Sequence, residues 1–350
     1  MPKFLLLFLF LLFLLPSTVF AAAPVEHLVQ EPVFGGRAFV LEAGVGNSPT
    51  LLLVHGLGDL ASDIWEGLIP ELAADFHVLA VDLPGFGRSE KRNALYSPAA
   101  YAAYLRWVAD RFAPGPLILV GHSLGGAIAL RYAADYPAQL QRLVLVDVAG
   151  ILHRNVITRE VLDPELRQLW PQLPADPLGR LDEWVGALIT RLPGLPLDLD
   201  QLLASELLRE RFLGGDPTRI AAVALIQEDF SRPLRQISAP TVILWGGEDR
   251  ITPLRTGVLL EAVLPQARLQ VIPTAGHLPM ADQPALFRLA LRTALVSPPP
   301  VIVPPPPSER IGVCRGEVGL RFSGSYARLE ITDCSDIRLT NVAARAVTID

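Results

Sequence analysis

Seven short β-prone runs recur along this 350-residue chain, at positions 38–42, 51–54, 78–81, 117–120, 143–146, 242–245 and 269–272. Several are apolar throughout, such as Leu51-Leu52-Leu53-Val54, instead of alternating with polar residues. A strand reads this way when both faces of its sheet are covered, as in a parallel sheet with helices on either side. Between the runs, 101–112 and 127–135 carry helix formers with apolar residues three and four apart. Alternating β and α signals predict an α/β domain with a mostly parallel, doubly wound sheet. At 51% hydrophobic and 19% charged, against about 25% charged for an average domain, the chain is excluded from the disordered class. Only one segment is long and apolar enough to weigh as a membrane element, which excludes a multi-span protein.

That segment opens the chain. Lys3 precedes an unbroken apolar run at 4–15, Pro16 to Thr18 break it, and Ala21, Ala22 and Ala23 follow. The layout predicts a signal peptide over 1–21 and export to the periplasm or the medium, with an uncleaved membrane anchor as the alternative. The sheet domain then runs over 22–296. Its rhythm is interrupted at about 151–236, where Leu-rich helical pieces are punctuated by prolines such as Pro164, Pro177, Pro217 and Pro233. This reads as a helical insertion between two strands.

Residues 297–308, SPPPVIVPPPPS, favour an extended polyproline spacer of roughly 37 Å and mark a boundary. Beyond it, 309–350 shows the alternation of a small all-β module, with Leu329 and Ile331, Ile337 and Leu339, and Val347 and Ile349. A module that small needs a disulfide, a metal or a docking partner. The two cysteines, Cys314 and Cys334, lie there. They leave two readings open: a disulfide, or two small buried residues in a repeat of about 20 residues like the rungs of a parallel β-helix.

The chemistry concentrates at Gly121-His122-Ser123-Leu124-Gly125, a G-x-S-x-G sequence. It follows the apolar run 117–120 and opens the small-residue helical stretch at 127–135. A sharp strand-to-helix elbow predicts a strained Ser123 with its Oγ presented at a helix N-terminus, whose positive end favours developing negative charge. Gly121 and Gly125 are the residues such a turn requires.

At these residues the chain resembles the α/β-hydrolase superfamily, over about 25–295. Further motifs carry the resemblance: Leu53-Val54-His55-Gly56-Leu57-Gly58, Asp82-Leu83-Pro84-Gly85-Phe86-Gly87-Arg88-Ser89, Trp245-Gly246-Gly247-Glu248-Asp249 and Gly276-His277. The resemblance implies a nucleophile Ser123, a base His277 and an orienting acid Asp249, in the family's chain order. It implies an oxyanion hole from the backbone N–H groups of Leu57 and Leu124. Asp147 and Glu248 are rival acids. His55 and His122 read as structural neighbours, His27, His77 and His153 as solvated or core residues, and Asp82 and Arg88 as turn stabilisers. Serine at the elbow, where other relatives carry Asp or Cys, implies a seryl acyl-enzyme.

The insertion matches the position of the family's cap, and its Leu-rich composition with Trp170, Trp184 and Phe212 points to a hydrophobic substrate group. The expectation is a carboxylesterase or lipase without cofactor or metal, because no cluster of ligand residues has metal spacing. The alternatives are other chemistry on the same triad (C–C hydrolase, aminopeptidase, lactonase or perhydrolase) or a non-catalytic binding protein on the fold. A net charge of −6 with no basic run argues against a nucleic acid partner. The C-terminal module is left with envelope or intramolecular contact as its expected roles.

Overall fold

The computed structural model describes residues 23–58, 60–113, 115–151, 199–296, 311–315, 321–332 and 338–349. The expected leader at 1–21, much of the insertion with Trp170, Trp184 and His153, the proline-rich spacer and Cys334 lie outside the described residues. Among the described residues no helix is long and apolar enough to cross a membrane. The chain divides into two compact units, Met1–Pro300 and Val301–Asp350.

The first unit is built on an eight-stranded sheet in the order β1-β2-β4-β3-β5-β6-β7-β8. Its strands are β1 (Val25–Gln30), β2 (Arg37–Ala43), β3 (Thr50–Val54), β4 (His77–Asp82), β5 (Leu117–His122), β6 (Leu140–Val146), β7 (Thr241–Gly246) and β8 (Ala267–Ile272). The pairs β1–β2 and β2–β4 are antiparallel, and all others are parallel. Strand β1 departs from the sequence expectation, which placed no strand there. It is an edge strand with exposed Val25 and Leu28, so it lacks the two-sided burial that marks the other runs.

The apolar runs divide by parity. Leu52, Val54, Leu119, Leu143, Leu145 and Ile243 enter one core with the helix Pro98–Phe112 and the helix Leu124–Asp135. Leu51, Leu53, Ile118, Val120, Val144, Val146 and Leu244 enter a second core on the opposite face with Trp65 and Phe287. Each such side chain contributes about 1.5–3 kcal/mol when fully buried, which is why the middle positions of the central strands are apolar on both faces and the polar residues His77, Asp82 and His122 fall at strand ends.

The described part of the insertion, between β6 and β7, is four short helices: Leu199–Ala204, Glu206–Leu213, Pro217–Gln227 and Ser231–Gln236. Their ends follow local chemistry. Ser205 accepts from the Leu208 N–H and Asp216 from the Arg219 N–H, Pro217 occupies the first turn, and Gly214 adopts the left-handed cap at φ 69°. Ile220, Val223 and Leu225 join the first core, which anchors this part of the insertion to the sheet domain.

In the second unit, β9 (Ile311–Arg315), β10 (Arg321–Thr332) and β11 (Arg338–Ile349) form a parallel sheet in the order β11-β10-β9. Ile311 pairs with Arg328 and Arg321 with Arg338, 17 positions on, and from Gly324 with Val342 the step is 18, so the stacking step is shorter than the repeat of about 20 expected from the cysteine spacing. Parallel neighbours with so short a return are the pairing of a coil wound rung on rung. Cys314 lies in β9 and Cys334 falls among the residues not described, so the disulfide reading is not addressed by the fold.

Candidate active site

Parallel pairing brings the C-terminal ends of β3, β5, β6, β7 and β8 to one edge of the sheet, which is where open α/β sheets place their sites. Val54 pairs with Gly121, His122 with Val146, and Val146 with Leu244. The residues just beyond these ends are therefore neighbours in space although up to about two hundred positions apart in the chain. His55 to Leu57 follow β3, Ser123 follows β5, Asp147 follows β6, Asp249 follows β7 and His277 follows β8.

Ser123 has φ 53° and ψ −117°, a strained backbone for a residue with a side chain. The strain is held in place by its surroundings. Its N–H donates to Val146 O at 2.9 Å, and its carbonyl accepts from Gly126 and Ala149 at 3.0 and 3.2 Å. A Cβ on Gly121 would collide with Gly125 O, and one on Gly125 would collide with the β3 carbonyls of Val54 and His55. Only glycines let the elbow close and let its helix pack on β3.

Ser123 Oγ lies 3.0 Å from His277 Nε2, and His277 Nδ1 lies 2.8 Å from Asp249 Oδ2. The three residues that the sequence motifs single out are thus one hydrogen-bonded relay. All three are buried, with Ser123 6% exposed. Asp249 Oδ1 accepts from the N–H groups of Ile251 and Thr252 at 2.8 and 2.9 Å, and Oδ2 also accepts from Thr252 Oγ1 at 2.5 Å. Burial opposes the charge of Asp249, but the bonds from His277 and Thr252 outweigh it and hold the carboxyl below its usual range.

The two other histidines of the motifs are neutral braces. Leu83 N–H donates to His55 Nε2 at 2.9 Å, so the ring carries its proton on Nδ1, which donates to Gly56 O at 2.6 Å. This ties the loop after β3 to the turn after β4. His122 Nε2 donates to His277 O at 2.7 Å, tying the elbow to the loop of the base. Burial and the neighbouring His277 push the His122 pKa down to about 3.

Among the described residues no hydrogen bond engages the backbone N–H of Leu57 or Leu124, the pair named for the oxyanion hole. Gly56 brings that loop close: a Cβ on it would lie 2.8 Å from Ser123 Cβ. Of the rival acids, Glu248 is exposed. Asp147 is fully buried beside Asp249, but the His277 ring bonds to Asp249. Asp82 accepts from Ser62 N and Arg88 N at 2.9 and 2.8 Å and from Arg88 Nε at 2.9 Å, and so holds its own turn. His77 is buried and His27 partly so, and each bonds Glu42, at 2.7 and 2.8 Å, bracing β1, β2 and β4. Among the described residues no group of three or more His, Cys, Asp or Glu side chains is placed to hold a metal ion.

A profile of the alpha/beta hydrolase family matches residues 51–290. The chain belongs to the alpha/beta hydrolase family. This hydrolase is 33% identical over 277 residues to an uncharacterised protein of Mycobacterium bovis, covering 72% of this chain and 75% of that one. It is 31% identical over 248 residues to the pimeloyl-acyl-carrier-protein methyl ester esterase of Nitrosomonas europaea, covering 69% of this chain and 94% of that one. A crystal structure of a membrane phospholipase A, described as a bacterial virulence factor, matches at a TM-score of 0.57 and 27% identity, covering 84% of this chain and 98% of that one.

Sequence reasoning missed one residue of the hydrolase site, Thr252. Its hydroxyl and its N–H both donate to Asp249, and its backbone carbonyl accepts from Trp245 Nε1 at 2.9 Å. The available signal was an Asp followed three positions later by Thr, the spacing at which an Asp carboxylate reaches forward to a backbone N–H.

Proposed function

We propose that this hydrolase cleaves carboxylic esters carrying a hydrophobic group, through a covalent acyl-enzyme on Ser123. The relay Ser123 Oγ to His277 Nε2 to Asp249 Oδ2 carries the reading. His277 takes the Ser123 proton as Oγ attacks the ester carbonyl carbon. The carbonyl oxygen becomes an oxyanion, which the N–H groups of Leu57 and Leu124 stabilise. The bond to the alcohol oxygen then breaks, and the alcohol leaves with the proton from His277. In the second half a water gives a proton to His277 and attacks the acyl carbon; the bond to Ser123 Oγ then breaks, Oγ takes the proton back from His277, and the acid is released.

Asp249 keeps the imidazole in the tautomer with the proton on Nδ1 and offsets the imidazolium charge. The ester class draws support from the two relatives named for ester-cleaving activities. The hydrophobic group draws support from the Leu-rich composition of the insertion between β6 and β7. Export belongs to the same proposal and rests on the leader; mature protein whose N-terminal sequence starts after Ala21 is expected, and one starting at Met1 sinks it.

A panel of p-nitrophenyl esters of increasing acyl length, run against wild type and Ser123→Ala, tests the chemistry. Wild-type turnover is expected to exceed the variant's by at least ~10³-fold on one acyl length or more. Equal rates across the panel overturn the reading. Labelling of wild type but not the variant by a fluorophosphonate reports separately whether Ser123 is activated.

A further inference from the structure

Two buried carboxyl groups, Asp147 and Asp249, follow the adjacent strands β6 and β7, and they are unequally supplied with donors. Asp249 accepts from Ile251 N, Thr252 N, Thr252 Oγ1 and His277 Nδ1. Asp147 is fully buried, and its Oδ1 accepts one bond, from Gly246 N–H at 2.8 Å. Its Oδ2 is buried and receives none, and Thr252 Oγ1 lies 2.5 Å from Asp249 Oδ2 and 3.2 Å from Asp147 O, which places the two aspartates side by side. The charged groups that face Asp147 are Asp249 and, through space, Asp282, both acidic. Two buried carboxyls in contact share a site in which only one ionises. The charge belongs to the one with four donors.

Asp147 is also held in an uncommon backbone conformation, φ 44°, with its N–H donating to Leu244 O at 3.2 Å and its carbonyl 3.2 Å from Thr252 Oγ1, whose single proton goes to Asp249 Oδ2. Asp tolerates the left-handed region better than most residues, and the surrounding bonds over-determine the geometry.

We propose that Asp147 is a positioning residue: its Oδ2 carries a proton and donates it to the Asp249 carboxylate, holding the single negative charge of the pair on the group that faces His277. The assignment rests on the reading above, in which Asp249 orients the base. Burial, followed by the Asp249 charge, raises the Asp147 pKa well above the carboxylate range, in keeping with the geometry. The donated bond fixes the Asp249 carboxylate and withdraws part of its charge, so the imidazolium is stabilised less than it would be by an unshared carboxylate.

Two substitutions test this in the full-length enzyme. Asp147→Asn keeps the shape, the acceptor for Gly246 N–H and a donor toward Asp249, and Asn also tolerates the left-handed backbone. It is expected to keep kcat/KM within about threefold of wild type, with the acid limb of the kcat/KM profile unmoved. Asp147→Ala removes the donor and is expected to lower kcat roughly tenfold. It is also expected to move the acid limb to higher pH, because the unshared Asp249 charge holds a proton on His277 more tightly. A merely structural role does not move that limb.

If Asp147 were ionised, Asp147→Asn would shift the limb to lower pH, and that result overturns the proposal, as does an unmoved limb in folded Asp147→Ala. An infrared difference spectrum, wild type minus Asp147→Asn at pH 7, is expected to show the carbonyl stretch of a protonated carboxylic acid; its absence also overturns the proposal. The spectrum needs no substrate and no folded Ala variant, so failure of the ester reading, seen as no wild-type turnover, stays distinct from failure of this one.

Discussion

Asp82 and Asp147 both sit at the C-terminal ends of parallel strands, and both are fully buried, yet their surroundings support opposite charge states. Burial opposes ionisation of each. For Asp82 it is outweighed by bonds from Arg88 and Ser62, and the carboxyl is held below its usual range. For Asp147 a single backbone donor is set against the charge of Asp249, and the carboxyl is pushed well above that range. Burial alone does not decide a charge; the number and kind of donors does. The node around Asp82 neutralises its carboxylate with Arg88 and closes a turn. The node around Asp147 and Asp249 leaves its charge facing a histidine.

Four substitutions sharpen or break this contrast. Asp249→Asn is expected to cost the most, roughly 10⁴-fold in kcat on a p-nitrophenyl ester, because the amide favours the wrong imidazole tautomer. A loss below tenfold would transfer the orienting role elsewhere. Asp82→Asn is expected to act on stability and not on the chemistry. It leaves Arg88 without its buried partner, at a cost of about 1–3 kcal/mol, reduced from that of a fully buried pair because Arg88 is 40% exposed. Chemical denaturation at pH 7 checks this, and kcat per folded molecule is expected to stay within threefold.

Thr252→Val removes the hydroxyl donor to Asp249 while keeping its shape, with an expected loss of roughly tenfold in kcat. An unchanged kcat would remove Thr252 from the node. The smallest effect is expected from Asp147→Asn, and its sign is the informative part. In wild type the native state holds a proton that the unfolded chain releases above about pH 3.9. Stability therefore falls as pH rises above that value. The variant has no such proton, so its melting temperature is expected to equal or exceed that of wild type at pH 7, with the gap closing toward pH 4. Asp82 has the opposite sign: its depressed pKa gives stability that is present at neutral pH and is lost as pH falls through the native-state value. Melts of wild type and both variants between about pH 2 and 8 test the two signs together, the Asp82 contribution below about pH 4 and the Asp147 contribution above it, and parallel pH dependences would break the contrast.

Much of this molecule was legible in the chain because the signals are local. The central strands declared themselves as unbroken apolar runs, since both their faces are covered. Strand β1 did not, because an exposed edge strand carries no such run. The elbow at Ser123 was legible because its demands fall within five consecutive residues. The acid was less so: Asp147, Glu248 and Asp249 are all carboxyls near the ends of adjacent strands. They are separated only by exposure and by donors that arrive from elsewhere, Gly246, Thr252 and His277 among them. Thr252 was passed over because a single threonine three positions beyond an aspartate is common in loops.

The sequence by itself determined the parallel sheet, the glycines of the elbow and the residue types that a nucleophile, a base and an acid require. Those features depend on backbone geometry and on side-chain identity at fixed spacing. Only the tertiary structure decided which carboxyl faces His277, which one is left to hold a proton, and which histidines are neutral braces. Charge state and orientation in a buried site depend on partners that the folded chain brings from distant positions, and no local pattern encodes that sum.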